Sequence, residues 1–260
     1  MSAGISLVRF VLEGASKENA MSDTQLRRSR LALLIDADNV RADYLPIIIR
    51  EASALGTITV KRVYGHFASS SMNSWQALVH EHALTPVHVP PAAVKKNATD
   101  MKLAIEAMDL LHRGQLEGFC IASSDSDFTT LASRIREDGI SVYGFGEKKA
   151  STGWVRACDR FFYCDLLREE EAREGDAKST EKPKARIPVD DILAAIEDLS
   201  DDDGWASLGP VGQMLTKRLP DFDARNHGFR KLSDLMKSLK PVELKQEKGG
   251  GPVLIRARGG

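Results

Sequence analysis

The sequence predicts an α/β protein with an open, mostly parallel sheet, followed by a small winged-helix-like C-terminal domain. Strand-like apolar runs alternate with segments of helical periodicity from residue 30 to 168, which is the pattern of successive βαβ units. Residues 169–185 are charged and rich in small side chains, as linkers are. Helical segments and a hairpin pattern fill residues 186–260. We therefore expect two domains of unequal size.

Composition and charge narrow the class of protein. A chain of 260 residues that is 42% hydrophobic can bury one sizeable core and a smaller one. The net charge is −1, so a nucleic-acid surface has to be a local patch. No apolar run approaches the roughly 20 residues that span a bilayer, and the three cysteines lack CxxC spacing. We expect a cytoplasmic protein without a membrane partner, whose residues 1–29 form a flexible arm with Met21 as an alternative start.

A βαβ unit opens the first domain. Leu31–Ile35 is apolar without a polar break, which favours a buried parallel strand. Tyr44–Leu55 has apolar residues at helical spacing and stops at Gly56. Thr57–Tyr64 alternates with β-branched residues, as a second strand would.

The same alternation continues to the end of the first domain. Ala98–Leu111 has helical spacing and stops before Gly114, and the apolar run Gly118–Ala122 leads directly into an acidic segment. The remaining expected elements are helices at 73–82 and 128–137, strands at 86–89, 140–145 and 161–163, and a Gly-rich turn before the last strand. Alternation of this kind places helices on both faces of the sheet.

The second domain contains three helical segments and a hairpin. We expect the helices at 189–199, 208–219 and 226–239, and the strands at 242–245 and 252–255. Three consecutive glycines mark the hairpin tip. Helices followed by a hairpin indicate a winged-helix module.

Two of the expected strands end in aspartates. Asp36 and Asp38 follow the first, and Asp125 and Asp127 follow the fourth, while Asp100 opens a helix. If the two strands are neighbours, they lie about 4.8 Å apart, at the edge where parallel sheets bind ligands. Crowded carboxylates repel one another unless a cation is present. Mg²⁺ or Mn²⁺ suits such a site, and phosphodiester hydrolysis is its natural chemistry.

Four polar residues near these aspartates are further candidates. Asn39 and Ser124 could orient the carboxylates or hold a metal-bound water, although turn capping explains them equally well. Lys95 and Lys96 precede Asp100, where they could contact phosphate or form a solvated loop.

Three acids lie on the helix that begins at Ala98, and one metal cannot bind them all. Glu106 lies about 9 Å along the axis from Asp100, and Asp109 about 13.5 Å. Asp100, in the first turn, is the expected ligand, and the other two are expected to be solvated or salt-bridged. Trp154 is expected in a loop near the mouth of the site.

Several segments of the first domain resemble a known family. The stretches LLIDADN, KKNATDMKLAIEAMDLL and IASSDSDFTTLASRIREDG are similar to the NYN domain of LabA-like proteins, a branch of the PIN-like nuclease superfamily. The resemblance spans residues 30–167 and implies a Rossmann-like PIN fold and an endoribonuclease that depends on Mg²⁺ or Mn²⁺. It implies a catalytic site with metal ligands Asp36, Asp100, Asp125 and Asp127, beside Asn39 and Ser124.

The C-terminal segment resembles the OST-HTH, or LOTUS, module, most clearly in the stretch FDARNHGFRKLSDL. This second resemblance implies RNA binding. From Val211 onward, eleven Lys or Arg face five Asp or Glu, a net charge of +6. Such a basic surface favours nucleic acid, and we expect RNA contacts from Arg225, Arg230 and Lys231.

The sequence therefore predicts a metal-dependent endoribonuclease that hydrolyses RNA phosphodiester bonds while its C-terminal module holds single-stranded RNA. A non-catalytic RNA-binding adaptor stays open as an alternative. A haloacid-dehalogenase-like phosphatase, with the first aspartate as nucleophile, fits less well because Ser123–Asp127 departs from the late Gly-Asp motif of that class. The oligomeric state is also open, a homo-oligomer included.

Overall fold

A computed structural model describes residues 29–90, 97–175, 186–246 and 251–258. Residues 1–28 of the expected arm, Lys95 and Lys96, linker residues 176–185 and most of the hairpin tip lie outside the described residues. In the described part of the chain, no helix combines the length and apolar character needed to cross a membrane.

Strands and helices alternate through the first domain. The strands are β1 (Arg30–Asp36), β2 (Thr57–Gly65), β3 (Thr85–His88), β4 (Gly118–Ala122), β5 (Ser141–Gly146) and β6 (Arg160–Tyr163). The helices are α1 (Leu45–Leu55), α2 (Asn73–Glu81), α3 (Ala98–His112), α4 (Phe128–Glu137), α5 (Thr152–Ala157) and α6 (Cys164–Gly175). All neighbouring strands are parallel, in the order β3-β2-β1-β4-β5-β6. The predicted α/β class is confirmed.

β1 is the centre of the sheet and is covered on both faces. Leu31, Leu33 and Ile35 point to one side, where α1 and the start of α6 pack. Ala32 and Leu34 point to the other side, against α3, α4 and α5. All five are fully buried, and burying one leucine side chain contributes about 1.5–3 kcal/mol. Burial on both faces therefore accounts for the unbroken apolar run of this strand, and the packing fixes the position of the residues that follow it.

The second domain places helices against a small antiparallel sheet. It contains α7 (Val189–Leu199), β7 (Ala206–Ser207), α8 (Leu208–Arg218), α9 (Leu232–Lys237), β8 (Val242–Gln246) and β9 (Val253–Ala257). The strand order is β7-β9-β8. Ile196, Leu215, Leu235 and Ile255 meet in a separate core. Helices followed by a hairpin agree with the winged-helix prediction.

The second domain covers the exposed edge of the large sheet. Phe161, on the edge strand β6, donates its backbone N–H to the carbonyl oxygen of Pro220 at 2.8 Å. Two residues later, the hydroxyl of Tyr163 donates to Asp221 Oδ2 at 3.0 Å. An edge strand left open is a site for unwanted pairing. The contact between the domains thus also satisfies one backbone donor of this edge strand.

A buried ion pair also joins the domains, and it corrects the prediction for Arg225. The Arg225 guanidinium donates to both oxygens of Glu51 on α1, each at 2.9 Å, and to Asp223 at 2.8 Å. Burial acts to lower the pKa of Arg225, but the hydrogen bonds to these two carboxylates raise it above its ordinary value. With its donors committed to carboxylates, Arg225 is not available for the predicted phosphate contact.

Two predictions of secondary structure were wrong at their boundaries. The expected linker begins too early, because α6 continues to Gly175. Its apolar contact is concentrated near its start, at Leu167, and its later residues form ion pairs such as Arg50–Glu171, so helical periodicity is weak. The expected helix at 226–239 is interrupted, because Gly228 adopts a left-handed conformation (φ 78°) before α9 begins.

Trp154 does not lie in a loop at the mouth of the site. It belongs to α5, a short helix within the region expected to be a Gly-rich turn, and Ser151 caps this helix by accepting a hydrogen bond from Trp154 N at 3.3 Å. Its side chain is fully buried. The tryptophan is therefore a core residue.

Candidate metal centre

The acidic residues meet where the strand order reverses. β1 and β4 are adjacent and parallel, which is the condition on which the expected acidic site depended, and Ile35 is paired with Ala122. Asp36 and Ser123 consequently follow at the same level of the two strands. In open α/β sheets the ligand-binding crevice lies at the carboxyl ends of two neighbouring parallel strands whose following connections run to opposite sides of the sheet.

Three carboxylates gather at this edge. Asp100, Asp125 and Asp127 each offer an oxygen within 4.8 Å of the others. Burial, followed by the charges of Asp125, Asp127 and Asp38, raises the pKa of Asp100 to about 6. Asp100 lies in the first turn of α3, where the helix dipole favours an anion. Burial and the neighbouring charges together outweigh this favourable position.

Asp36 lies beside this group and is fully buried. Its Oδ1 accepts from the backbone N–H of Asp38 at 3.1 Å, and its Oδ2 accepts from the hydroxyl of Ser123 at 3.0 Å. Burial and the charge of Asp100 raise the pKa of Asp36 to about 6, against the effect of the hydrogen bonds from Ser123 and Asn39. Asp36 is therefore coupled electrostatically to Asp100, although it is not within the 4.8 Å group of three.

Ser123 is a site residue that sequence reasoning missed. Its hydroxyl donates to Asp36 and also accepts from the backbone N–H of Asp125 at 3.1 Å. Its carbonyl oxygen accepts from the indole Nε1 of Trp154 at 2.9 Å. The available signal was its position, since it is the first residue after a buried strand and is level with Asp36. Ser123 links the two acidic segments directly.

Ser124 and Asn39 have different surroundings. Ser124 Oγ accepts from the backbone N–H of Glu147 at 2.9 Å, so it orders the segment after β5. The side chain of Asn39 lies near Asp36 and acts to lower the pKa of that carboxyl. Of the two residues expected to orient the carboxylates, Asn39 therefore lies near Asp36, and Ser124 contacts the loop after β5.

Two more side chains tie α3 to the acidic segments. Thr99 Oγ1 donates to Asp38 Oδ2 at 2.7 Å. Asn97 Nδ2 donates to Asp127 Oδ2 at 3.1 Å, and the backbone N–H of Asp127 donates to Asp125 Oδ1 at 3.0 Å. These contacts hold the carboxylates close together despite their repulsion.

The other two acids of α3 lie away from the cluster. Asp109 is exposed. Glu106 accepts from Arg62 at 2.7 Å and from the Tyr64 hydroxyl at 2.9 Å. Partial burial acts to raise the pKa of Glu106, but hydrogen bonds from Lys102 and Tyr64 and the charge of Arg62 hold it below its ordinary value. Glu106 is salt-bridged, as predicted from helix geometry.

Arg230 and Lys231 are exposed on the second domain. Lys231 lies immediately before α9, and Arg230 lines a groove that also contains Arg160 of the first domain. Their contacts with RNA stay a prediction.

The carboxylate group fits a hard divalent cation. All the converging ligand atoms are carboxylate oxygens, which are the ligands that Mg²⁺ and Mn²⁺ prefer. The raised pKa values of Asp36 and Asp100 indicate that the anionic forms lack compensating positive charge. A cation would supply it.

The raised pKa values predict a pH-dependent response to metal. In the metal-free protein, Asp36 and Asp100 favour the folded state when they are neutral. This contribution to stability is fully present below about pH 4 and is lost as the pH rises through about 6. Metal needs the charged forms, so protons compete with it below pH 6. We expect saturating Mn²⁺ to raise the melting temperature by about 5–10 °C at pH 7.5.

At pH 5 the same concentration of Mn²⁺ should give a much smaller increase. Thermal melting with and without Mn²⁺ at the two pH values measures both. The Asp125→Asn variant serves as the control, since it should show little increase at either pH. Equal increases at pH 5 and pH 7.5 would contradict the assignment of the metal to these carboxylates.

Comparison with known proteins places the first domain in a family. A family model for the NYN domain matches residues 30–167, and the chain belongs to this family. The model of the OST-HTH/LOTUS domain matches residues 184–254. Membership in the NYN family implies a PIN-like nuclease, and the second match indicates RNA binding.

Solved structures are similar to parts of the chain. A protein of unknown function from Vibrio parahaemolyticus is 15% identical over 53% of this chain and 94% of its own, with a TM-score of 0.46. An uncharacterized protein from Nitrosomonas europaea is 37% identical over 31% of this chain and 82% of its own (TM-score 0.29). A Chromobacterium violaceum protein is 39% identical over 29% of this chain and 85% of its own, with a TM-score of 0.23. No curated protein matches the chain.

Proposed function

We propose that the protein is an endoribonuclease that hydrolyses RNA phosphodiester bonds at the acidic cluster with the help of Mg²⁺ or Mn²⁺. The observation that carries this proposal is the convergence of Asp100, Asp125 and Asp127 within 4.8 Å at the strand-order reversal. We assign the metal to these three residues, with Asp36 beside them. RNA binding by the C-terminal module supplies the substrate class.

The chain's own residues hold and orient the reacting groups. When bound, the metal would polarise the scissile phosphate and lower the pKa of an attacking water. Ser123 holds Asp36 and the backbone of Asp125 in one arrangement, and Asn97 holds Asp127. Preorganised carboxylates of this kind need no rearrangement during the reaction. Activity should thus depend on the residues that fix the cluster as well as on the cluster itself.

The buried environment of Asp36 argues against the phosphatase alternative. A nucleophilic aspartate needs an oxygen that faces the substrate. Asp36 has no exposed surface, and both of its oxygens accept hydrogen bonds from within the protein. The adaptor alternative is decided by an assay instead.

One assay distinguishes cleavage from binding alone. Purified protein is incubated with end-labelled RNA in Mn²⁺, in Mg²⁺ and in EDTA. Internal scission that requires the metal and stops in EDTA is the expected result. RNA that is bound in every condition and never cleaved would identify an adaptor, and release of phosphate from small phosphoesters would identify a phosphatase.

Replacing Ser123 tests the positioning of the cluster. Ser123→Ala removes the hydroxyl that links Asp36 to the Asp125 backbone, and comparable supporting residues in metal sites change affinity or activity by about 10–100-fold. We expect a loss of this size in Mn²⁺ affinity, read from a metal titration of the cleavage rate. Ser124→Ala is the matched control, because Ser124 contacts Glu147 instead. A larger loss in the control would contradict the positioning role of Ser123.

A further inference from the structure

A cleft with a volume of about 470 Å³ lies between the two domains. One wall comes from the segment after β5, from α5, and from the junction of β6 and α6. The other wall comes from the residues before α7 and after α8. Its volume is in the range of about 300–1,000 Å³ that is typical of clefts for single small ligands.

Positive charge dominates the lining of this cleft. Lys148, Arg156, Arg186 and Arg218 line it, and Asp221 is the one acid among the described lining residues. Arg218 is paired with an aspartate of its own domain. The other three cations are exposed, and none of them forms an ion pair with a residue that the structure describes. A concave surface with uncompensated cations attracts a chain of phosphates.

The cleft adjoins the acidic cluster. The backbone N–H of Glu147 donates to Ser124 Oγ at 2.9 Å, and the next residue, Lys148, lines the cleft. The indole of Trp154 donates to the carbonyl oxygen of the residue before Ser124, and the next residue, Val155, lines the cleft. This segment therefore lines the cleft and also contacts the two serines that precede Asp125.

The contacts between the domains fix the floor of the cleft. Tyr163 and Asp221 both line it and are joined by a 3.0 Å hydrogen bond. Tyr163 ends β6 and is level with Gly146 at the end of β5. At the usual strand spacing of about 4.8 Å, the ends of β5 and β6 lie about 5 and 10 Å from the end of β4. A bound strand could thus reach the cluster within a short length.

We propose that this cleft binds the sugar-phosphate backbone of single-stranded RNA and leads it from the C-terminal domain to the acidic cluster. Lys148, Arg156 and Arg186 contact its phosphates. The inference rests on the proposed function, because it names the path of the substrate to that site. It adds that both domains contribute to one binding surface.

The test is a variant that neutralises the cleft. Lys148→Ala, Arg156→Ala and Arg186→Ala are combined, and binding of a labelled single-stranded RNA is measured by fluorescence anisotropy over a range of salt concentrations. Each lost phosphate contact removes about 0.7 from the log–log salt slope. We expect the slope to fall by about 2 and the affinity at low salt to fall at least about tenfold.

The matched control removes the same number of positive charges from the end of the sheet where the strands begin, opposite the acidic cluster. Arg30 and Arg113 are exposed at the start of β1 and after α3. Arg134, near the end of α4, is partly exposed and is paired with Asp138. Their combined replacement by alanine should change affinity less than about twofold. Equal losses in the two triple variants would overturn the proposal, because they would reflect overall charge alone. So would a cleft variant with the wild-type slope.

Binding is measured in EDTA, so the result does not depend on cleavage. If the cleft variant binds RNA more weakly but the wild-type protein never cleaves RNA, the proposed cleft is supported and the proposed nuclease activity is refuted. Metal-dependent cleavage together with unchanged binding would refute the cleft and support the nuclease. The two proposals can thus fail separately.

Discussion

Asp100→Asn should lower metal-dependent RNA cleavage by about a thousandfold. Asp100 shares the carboxylate group with Asp125 and Asp127, and the loss of one metal ligand removes several kcal/mol of transition-state stabilisation, at about 1.4 kcal/mol per factor of ten. RNA affinity measured in EDTA should not fall, because the change removes negative charge near the substrate. The measurement is the initial rate at saturating RNA over a titration of Mn²⁺.

The same substitution should stabilise the metal-free protein at neutral pH. Burial and three neighbouring carboxylates raise the pKa of Asp100, so the charged form is unfavourable in the folded state above about pH 6. A neutral asparagine removes this repulsion, and we expect the melting temperature in EDTA to rise by a few degrees. Loss of activity together with a gain of stability would show that Asp100 serves function at a cost in stability. Loss of both activity and stability would indicate a folding defect.

Two variants on the same helix are the controls. Asp109 is exposed, so Asp109→Asn should leave cleavage and stability unchanged. Glu106 pairs with Arg62 and Lys102, so Glu106→Gln should lower stability by about 1–2 kcal/mol while its response to Mn²⁺ stays normal. An Asp109 variant as inactive as Asp100→Asn would show that the assigned metal site is wrong.

The strand pattern predicted the sheet, and it located the acidic residues on the condition that the first and fourth strands are neighbours. An apolar run such as Leu31–Ile35 has one favourable environment, which is a strand covered on both faces. The residues after two such strands must lie at one edge if the strands are neighbours. The positions of Asp36 and Asp125 followed from these two facts, without knowledge of any contact.

The contacts that tie elements together could not be predicted in the same way. Ser123 and Ser124 are adjacent and chemically identical, and only the three-dimensional structure shows that Ser123 faces Asp36 and Ser124 faces Glu147. Arg225 reads as part of a basic segment, while its partner Glu51 lies 174 residues away. Local charge patterns do not reveal such long-range pairs.

Arg225→Met should destabilise the protein by about 3 kcal/mol, because it removes the cation that two largely buried carboxylates share and leaves them only their contacts with Arg50 and Arg160. The side chains of Glu51 and Asp223 are 10% and 15% exposed, and breaking a buried pair costs about 3–5 kcal/mol. We expect the melting temperature to fall by about 6–12 °C at pH 7.5. RNA binding at a temperature where the variant is folded should change little, since the guanidinium already binds carboxylates.

The pH dependence of this effect separates a buried ion pair from a general folding defect. In the wild type, burial acts to raise the pKa of Glu51 and of Asp223, but the hydrogen bonds and charge of Arg225 lower both below their ordinary values. The stability from these carboxylates is present above about pH 4 and is lost as the pH falls through their lowered values. The gap between variant and wild type should therefore narrow in acid.

Two comparisons complete the test of Arg225. Arg134→Met breaks an exposed pair with Asp138 on one helix and should cost no more than about 1 kcal/mol. Combining Arg225→Met with Glu51→Gln should cost less than the sum of the two single changes, because the double variant leaves one fewer unpaired charge. If Arg225→Met instead weakens RNA binding and melts like Arg134→Met, Arg225 is an RNA contact, as its basic segment suggested, and the ion pair does not join the domains in solution.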